Sequence, residues 1–319
     1  MPRRNLVLAA ATKAQRQQSR QQLGKLRDTT IRPKTLARYT EAVDRFLSFL
    51  SENYIPYPST FIKLDEVLSE FIEHLWQAGE PKAWAGDALS GLSHFIPAVR
   101  KHIHGSWRLH SAWGKAELPA RAPPLTLVLV YALAHYCRSK GWTDTLVLLL
   151  LGFHTYARTG ELFSAKVGDF DIHPTTGMGV WRLPLSKSGQ RQGSVESLTI
   201  NDQWVGLLVY GFCRNKPPGD FLRVASPPQQ RLRLNEALAA LSFDWGFRWY
   251  SVRRGGATHD YRMTGNLPAI MLRGRWGDMK TARIYLTDGL ARAQELRLTD
   301  ALKQRLEHLA KQVRPGLHI

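Results

Sequence analysis

The segment Asp144–Tyr156 constrains the fold most. Its centre, Leu146 to Phe153, is apolar at every position, and the next charged side chain is Arg158. A helix that is apolar nearly all round has no face to offer water and must lie inside a core. It is far too short to cross a membrane, which takes ~18–20 apolar residues. The segment therefore predicts a central buried helix with other helices packed about it. An arginine follows immediately, in a place where a bare cation is expensive.

The flanking patterns supply those helices. Leu36, Tyr39, Val43, Phe46, Leu47 and Leu50 recur at three- and four-residue spacing, with Thr30 as the expected cap. Leu64, Leu68, Phe71, Ile72 and Leu75 mark a second helix; Ala88, Leu92, Phe95, Ile96 and Val99 mark a third. Another helix is expected at about Leu127–Ser139. Around Met178–Leu185, and again over Ser194–Ile200, the pattern alternates as in a strand, with Ser186-Lys187-Ser188-Gly189 as the turn between. Helices resume to the end, broken at Pro217-Pro218-Gly219 and Pro227-Pro228, with Leu290 to Val313 read as one amphipathic helix.

These elements predict a mainly α chain with a small β-sheet or hairpin. Residues 1–28 read as a basic flexible tail, 29–118 as a helical domain, 119–126 as a Pro-rich linker, and 127–319 as a mixed α+β domain. A 319-residue length suits two domains, and 44% apolar residues suffice for real cores. Cys137 and Cys213 form no disulfide framework and no metal-ligand spacing, which points to a reducing compartment. The N-terminus lacks the long apolar stretch of a secretory signal. The expected location is intracellular, nucleus and bacterial cytoplasm being indistinguishable.

A formal net charge of +18 suggests a polyanionic partner, nucleic acid before an anionic membrane surface. Between Asp87 and Glu117 no acid occurs, while Arg100, Lys101, Arg108 and Lys115 are interleaved with Trp107 and Trp113. Cations beside aromatics suit a surface that tracks a phosphate backbone, although a merely solvated basic face has the same composition.

Five features carry chemistry. Arg158 and Glu161 stand at Arg-x-x-Glu spacing, so the carboxylate can hold the arginine. Lys187 occupies the hairpin turn. Trp249-Tyr250-Ser251-Val252-Arg253-Arg254-Gly255-Gly256 combines adjacent arginines with glycines that allow close backbone approach. An arginine there suits bidentate phosphate binding. Gly274-Arg275-Trp276 follows, then Ala282-Arg283-Ile284-Tyr285. Each feature alone has an ordinary structural explanation: an ion pair, a solvated turn lysine, a core aromatic.

In order and spacing the set resembles the catalytic domain of the tyrosine recombinase (phage integrase) family. Arg158 and Glu161 match its first box, Lys187 its hairpin lysine and Arg253 its second arginine. Trp276 and Tyr285 follow Arg253 by 23 and 32 residues, as the family pattern has them. The likeness covers about residues 125–290, and residues 29–118 resemble the family's core-binding domain in position and basic character only.

The resemblance implies a site-specific recombinase or integrase of a mobile element, working on double-stranded DNA as a homo-tetramer on paired sites. It needs no cofactor, metal or ATP, and no membrane. Tyr285 would attack the phosphodiester to give a 3′-phosphotyrosyl intermediate. Arg158 and Arg253 would clamp the phosphate, Lys187 would protonate the leaving 5′-oxygen, and Tyr250 and Trp276 would line the phosphate. Arg254 and Arg275 are further expected DNA contacts, and the C-terminal helix packs either on a neighbouring protomer or on its own domain.

One departure stands out: Tyr250 occupies the position where the family usually has His. A neutral phenol donates a hydrogen bond but is a poor proton acceptor. His259 is expected to be a packed helix residue and not a substitute. Three other readings stay open. They are a type IB topoisomerase-like or resolvase nicking-resealing enzyme, a catalytically weak DNA-binding protein of the same fold, and a general basic protein with no role for Tyr285.

Overall fold

The computed structural model describes residues 12–184 and 196–317. The chain forms two compact units, Met1–Ala120 and Arg121–Ile319. Among the described residues no helix is long and apolar enough to cross a membrane.

The first unit holds five α-helices among its described residues: α1 (Lys13–Leu23), α2 (Pro33–Glu52), α3 (Phe61–Gln77), α4 (Lys82–Phe95) and α5 (His104–Ala116). Where composition predicts a flexible arm, residues 13–23 are helical. Their Gln, Arg, Lys and Leu are good helix formers, and Thr12 and Gln15 form a reciprocal capping box. α2 starts at Pro33 behind an Arg32 cap, not at Thr30, because proline is pre-shaped for the first helical turn. α4 stops at Phe95 because Pro97 cannot continue it. Phe95 and Ile96 are consequently exposed, while Val99 reaches the core from a 3-10 turn.

Phe46, Leu50, Leu68, Phe71, Leu89, Leu92, Ile103 and Trp113 pack together, with Phe46 and Phe71 edge to face at 5.4 Å. Asp65 fastens α5 by accepting from the backbone N–H groups of Gly105 and Ser106, both at 2.8 Å. Arg100, Lys101, Arg108 and Lys115 are all exposed. Trp113 is not part of that surface: it is buried, and its indole N–H donates to Glu117 at 2.7 Å.

The second unit is built round α7 (Thr143–Thr155), the central helix that the apolar run predicts. Leu146 to Leu151 are all buried. α6 (Leu127–Ser139), α9 (Gln203–Cys213) and α11 (Trp249–Thr264) pack against it. The approach of α7 to α11 is close. A Cβ added at Gly256 would collide with the Phe153 carbonyl, and one at Gly255 with the Leu125 carbonyl. Gly256 lets α11 lie directly on the end of α7, and Gly255 lets it lie against the segment before α6; this puts Arg253 beside the turn leading to Arg158.

After α7 come α8 (Thr159–Ser164) and an antiparallel sheet in the order β1 (Phe170–Ile172), β2 (Gly179–Leu183), β3 (Glu196–Ile200). Trp181 pairs with both Phe170 and Leu198, and Leu183 with Glu196. This register turns Trp181, Leu183, Leu198 and Ile200 into the core. α10 (Pro227–Ala240) begins at Pro227 under a Ser226 cap, so the Pro227-Pro228 pair opens a helix where a break is expected.

α12 (Leu267–Gly274), α13 (Met279–Tyr285), α14 (Asp288–Arg297) and α15 (Asp300–Val313) complete the unit. The helix expected over Leu290–Val313 is two helices, divided where Leu298 turns extended and Thr299 caps α15. Leu306, Ala310 and Val313 are buried, and α15 packs on α6 of its own unit.

Candidate active site

The end of α7 sets the first arginine. Tyr156 closes the helix in the left-handed region at φ 53°, turning the chain so that Arg158 precedes α8. Glu161 then holds Arg158 twice: Oε2 accepts from the Arg158 backbone N–H at 2.8 Å, and Oε1 lies 2.9 Å from Nη1. Burial tends to raise the Glu161 carboxyl pKa. Hydrogen bonding and charge from Arg275, then from Arg158, outweigh burial and hold it below the usual range.

The first turn of α11 brings in the second arginine. Arg253 is 1% exposed. Its guanidinium donates to the Tyr156 carbonyl and, at 2.7 Å, to the Gly274 carbonyl, which fixes it between the ends of α7 and α12. It lies 4.9 Å from the Trp276 ring centre and 5.1 Å from that of Tyr285. Burial, and next the nearby positive charge of Arg158, pull its pKa down to about 10. It therefore stays charged at neutral pH, beside a like charge. Arg253 Nε is buried with no hydrogen-bond partner among the described residues.

Trp276 is 7% exposed and packs on Tyr285 with ring centres 4.6 Å apart. Its indole N–H is also buried without a partner among the described residues. Tyr285 ends α13, half-buried; its backbone carbonyl accepts from the Thr258 hydroxyl at 3.2 Å. Its phenol oxygen accepts a hydrogen bond from the Tyr250 hydroxyl. Tyr250 is 39% exposed. Burial, then the bond to Tyr285, push its pKa above the usual phenol value, so it is a neutral donor at pH 7.

Arg158, Glu161, Tyr250, Arg253, Trp276 and Tyr285 thus come together. Lys187 lies outside the described residues. Two expected DNA contacts are placed elsewhere. Arg254 is 1% exposed and donates to the carbonyls of Ala122 and Ile284 at 2.6 and 2.8 Å, tying α13 to α11. Arg275 is directed inward to Glu161 and Glu196 at 2.7 and 2.8 Å. Adjacent arginines suggest a basic surface, but along a buried helix the same residues satisfy backbone carbonyls. Sequence reading misses Glu196, a lone carboxylate at a strand start, and the braces from Tyr156 and Gly274, which are carbonyls that any residue carries. His259 packs beside Phe153 at 5.8 Å, away from the cluster. Among the described residues no three His, Cys, Asp or Glu side chains group as metal ligands.

No protein-family model matches the sequence, and no curated protein matches it. Solved structures do match. A lambda integrase dimer bound to a COC′ core site is 15% identical, over 81% of this chain and 90% of that one, with a TM-score of 0.56. The Tn1549 transposon integrase in complex with transposon right-end DNA is 13% identical, over 84% and 94%, with a TM-score of 0.58. The chain shares the fold of these integrases, the tyrosine recombinase fold that its motif order implies.

Proposed function

We propose that this chain, which has the tyrosine recombinase fold, is a site-specific DNA recombinase that cuts and rejoins DNA through a 3′-phosphotyrosyl link to Tyr285. One observation carries the reading. Two neighbouring arginines, one of them buried, and two buried donors without a partner among the described residues, Arg253 Nε and Trp276 Nε1, lie beside Tyr285. An unsatisfied buried donor costs ~1–3 kcal/mol, and the positive charge of Arg158 adds to the cost of burying Arg253. A phosphodiester would relieve both.

The chemistry follows from charge. Attack on phosphorus builds negative charge on the non-bridging oxygens, which fixed arginines stabilise, each such group being worth ~10²–10³-fold in rate. The Tyr285 oxygen forms a bond to phosphorus while the bond to the 5′-oxygen breaks. The phenol gives up its proton to water, and the leaving oxygen gains one from a separate acid. Lys187 is the proposed donor of that proton. The covalent intermediate conserves the phosphodiester for rejoining. In the resting protein the Tyr285 ring covers Arg253, so the incoming phosphate takes its place over the guanidinium and releases Tyr285 from Tyr250.

Exposed Arg100, Lys101, Arg108 and Lys115 are the proposed phosphate contacts of the first unit. The lambda and Tn1549 integrase structures both hold DNA, which supports duplex DNA as the partner. Exchange between two paired sites needs four copies of the chain, hence a tetramer on DNA. The Tyr250–Tyr285 bond favours a slow enzyme: where a histidine could take a proton, a neutral phenol holds the nucleophile. The test is covalent trapping. The protein is incubated with nicked duplexes drawn from a selected pool of bound sequences, then denatured and examined for a protein–DNA adduct, which the reading expects and which a mere DNA-binding protein does not form.

A further inference from the structure

Arg275 ends α12 in the left-handed region, at φ 55° and ψ 45°. That conformation is disfavoured for an L residue by contact of its Cβ with the following carbonyl, so glycine is its usual occupant. Here the side chain is engaged on both sides. Nη2 lies 2.7 Å from Glu161 Oε2, and Nη1 lies 2.8 Å from Glu196 Oε2. All three side chains are about nine-tenths buried. Glu161 in turn holds Arg158.

A continuous chain of ion pairs therefore runs from the first residue of β3, through Arg275 and Glu161, to the arginine before α8. The residue after Arg275 is Trp276, which packs on Tyr285. Ion pairs this buried add little net stability, because desolvation offsets their attraction; removing one member leaves the others uncompensated. What such a chain does supply is fixed geometry. Arg275 also contributes positive charge at Arg253, yet its two Nη groups already face carboxylates and are not presented to a ligand.

We propose that Arg275 is a positioning residue for the DNA-cleavage reaction. It locks β3 to the Arg158–Glu161 turn, and so sets where Arg158 and Trp276 stand, without touching DNA itself. The proposal rests on the recombinase reading, but part of its test does not.

Three variants probe it. Arg275→Gly keeps the left-handed backbone and removes only the side chain. Glu196→Gln weakens the chain from its far end. Arg275→Lys keeps the charge and loses the fork. DNA affinity and its salt dependence are measured first, then the single-turnover adduct rate at saturating DNA, then amide hydrogen exchange of the free protein. The expected result for Arg275→Gly and Glu196→Gln is affinity within about two-fold of wild type, an unchanged salt slope and adduct formation slower by ~10–100-fold, the scale seen when the groups that orient metal ligands are removed. Arg275→Lys recovers part of the rate. Exchange across Glu161–Ser164 rises in both slow variants, although Glu196 lies on a different element.

Two results overturn the proposal. One is a weaker, less salt-sensitive complex for Arg275→Gly with Glu196→Gln like wild type, which makes Arg275 a DNA contact. The other is unchanged exchange over Glu161–Ser164 in Glu196→Gln, which breaks the chain whether or not the protein cleaves DNA. Absence of an adduct from the wild-type protein sinks the recombinase reading and leaves the exchange result to decide the coupling.

Discussion

The hydroxyl of Tyr250 donates its hydrogen bond to the hydroxyl of Tyr285, across two rings whose centres are 5.6 Å apart. The residue in the second-box position thus holds the proposed nucleophile in the resting protein. Acid–base assistance is typically worth ~10²–10⁴-fold, and a neutral phenol forgoes the base half of it. Tyr250→His is expected to raise the single-turnover adduct rate at least ~10-fold and to add a rate limb near the histidine pKa of about 6.5. A His variant slower than wild type, with no new limb, would show that the phenol itself serves the chemistry.

Arg253 braces two carbonyls and is the proposed phosphate clamp, and its variants should separate the two roles. Arg253→Ala removes the phosphate clamp and leaves the carbonyls of Tyr156 and Gly274 without their donor. Adduct formation is expected to fall ~10²–10³-fold or more, with a stability loss of ~1–3 kcal/mol for each carbonyl left buried and unpaired. Arg253→Lys should restore much of the stability and little of the rate, because an ammonium lacks the planar fork. Denaturant unfolding beside single-turnover trapping gives both readings; equal recovery of the two would contradict the division.

Arg254 and the basic residues of the first unit should behave oppositely. Arg254→Ala is expected to destabilise the fold by removing the donors to Ala122 and Ile284, with the salt slope of DNA binding unchanged. Arg108→Ala and Lys115→Ala are expected to leave stability within about 0.5 kcal/mol. Each should lower the salt slope by ~1 for every phosphate that its side chain had neutralised. Binding titrations across salt concentrations decide between them, and a reduced slope for Arg254→Ala would place that side chain on DNA.

How much of this was open to sequence reading depends on what kind of residue carries each feature. The apolar run Leu146–Phe153 could only be a buried helix, and it is. Arg158, Arg253, Trp276 and Tyr285 are singled out by the resemblance of their order and spacing to the tyrosine recombinase pattern, and the fold brings them together. Boundaries set by local geometry were harder: Pro33 overrides Thr30, Pro97 ends α4, and Thr299 restarts a helix inside a continuous amphipathic pattern. Arg254 and Arg275 were misleading for a different reason. A sequence shows that they are cations but not which way the helix turns them, and both turn inward. Residues 170–172 pair as a third strand too short for an alternating pattern to show, although Phe170 stacks on Trp181 and Asp171 faces Arg182 across the pair.

Acid should act through His154. Burial pulls its pKa down to about 4, against the opposing charge of Asp202. The unfolded chain, with a histidine pKa of about 6.5, binds a proton over the window from about 6.5 down to about 4, while the folded protein does not. Stability therefore rises with pH across that window and falls as pH drops through it, by up to ~3 kcal/mol from this group. Denaturant unfolding at pH 7 and pH 5 should show the loss, and His154→Gln should flatten it. An unaltered slope in that variant would assign the acid response to other groups.

The central claim is that Tyr285 is the nucleophile within a clamp of Arg158 and Arg253. The most direct measurement is to trap the covalent adduct on DNA, digest the protein and map the modified peptide, with Tyr285→Phe treated in parallel. The expected result is a nucleotide-bearing peptide containing Tyr285 in the wild-type protein and no adduct in the Phe variant. An adduct on any other residue, or one that survives Tyr285→Phe undiminished, would contradict the claim.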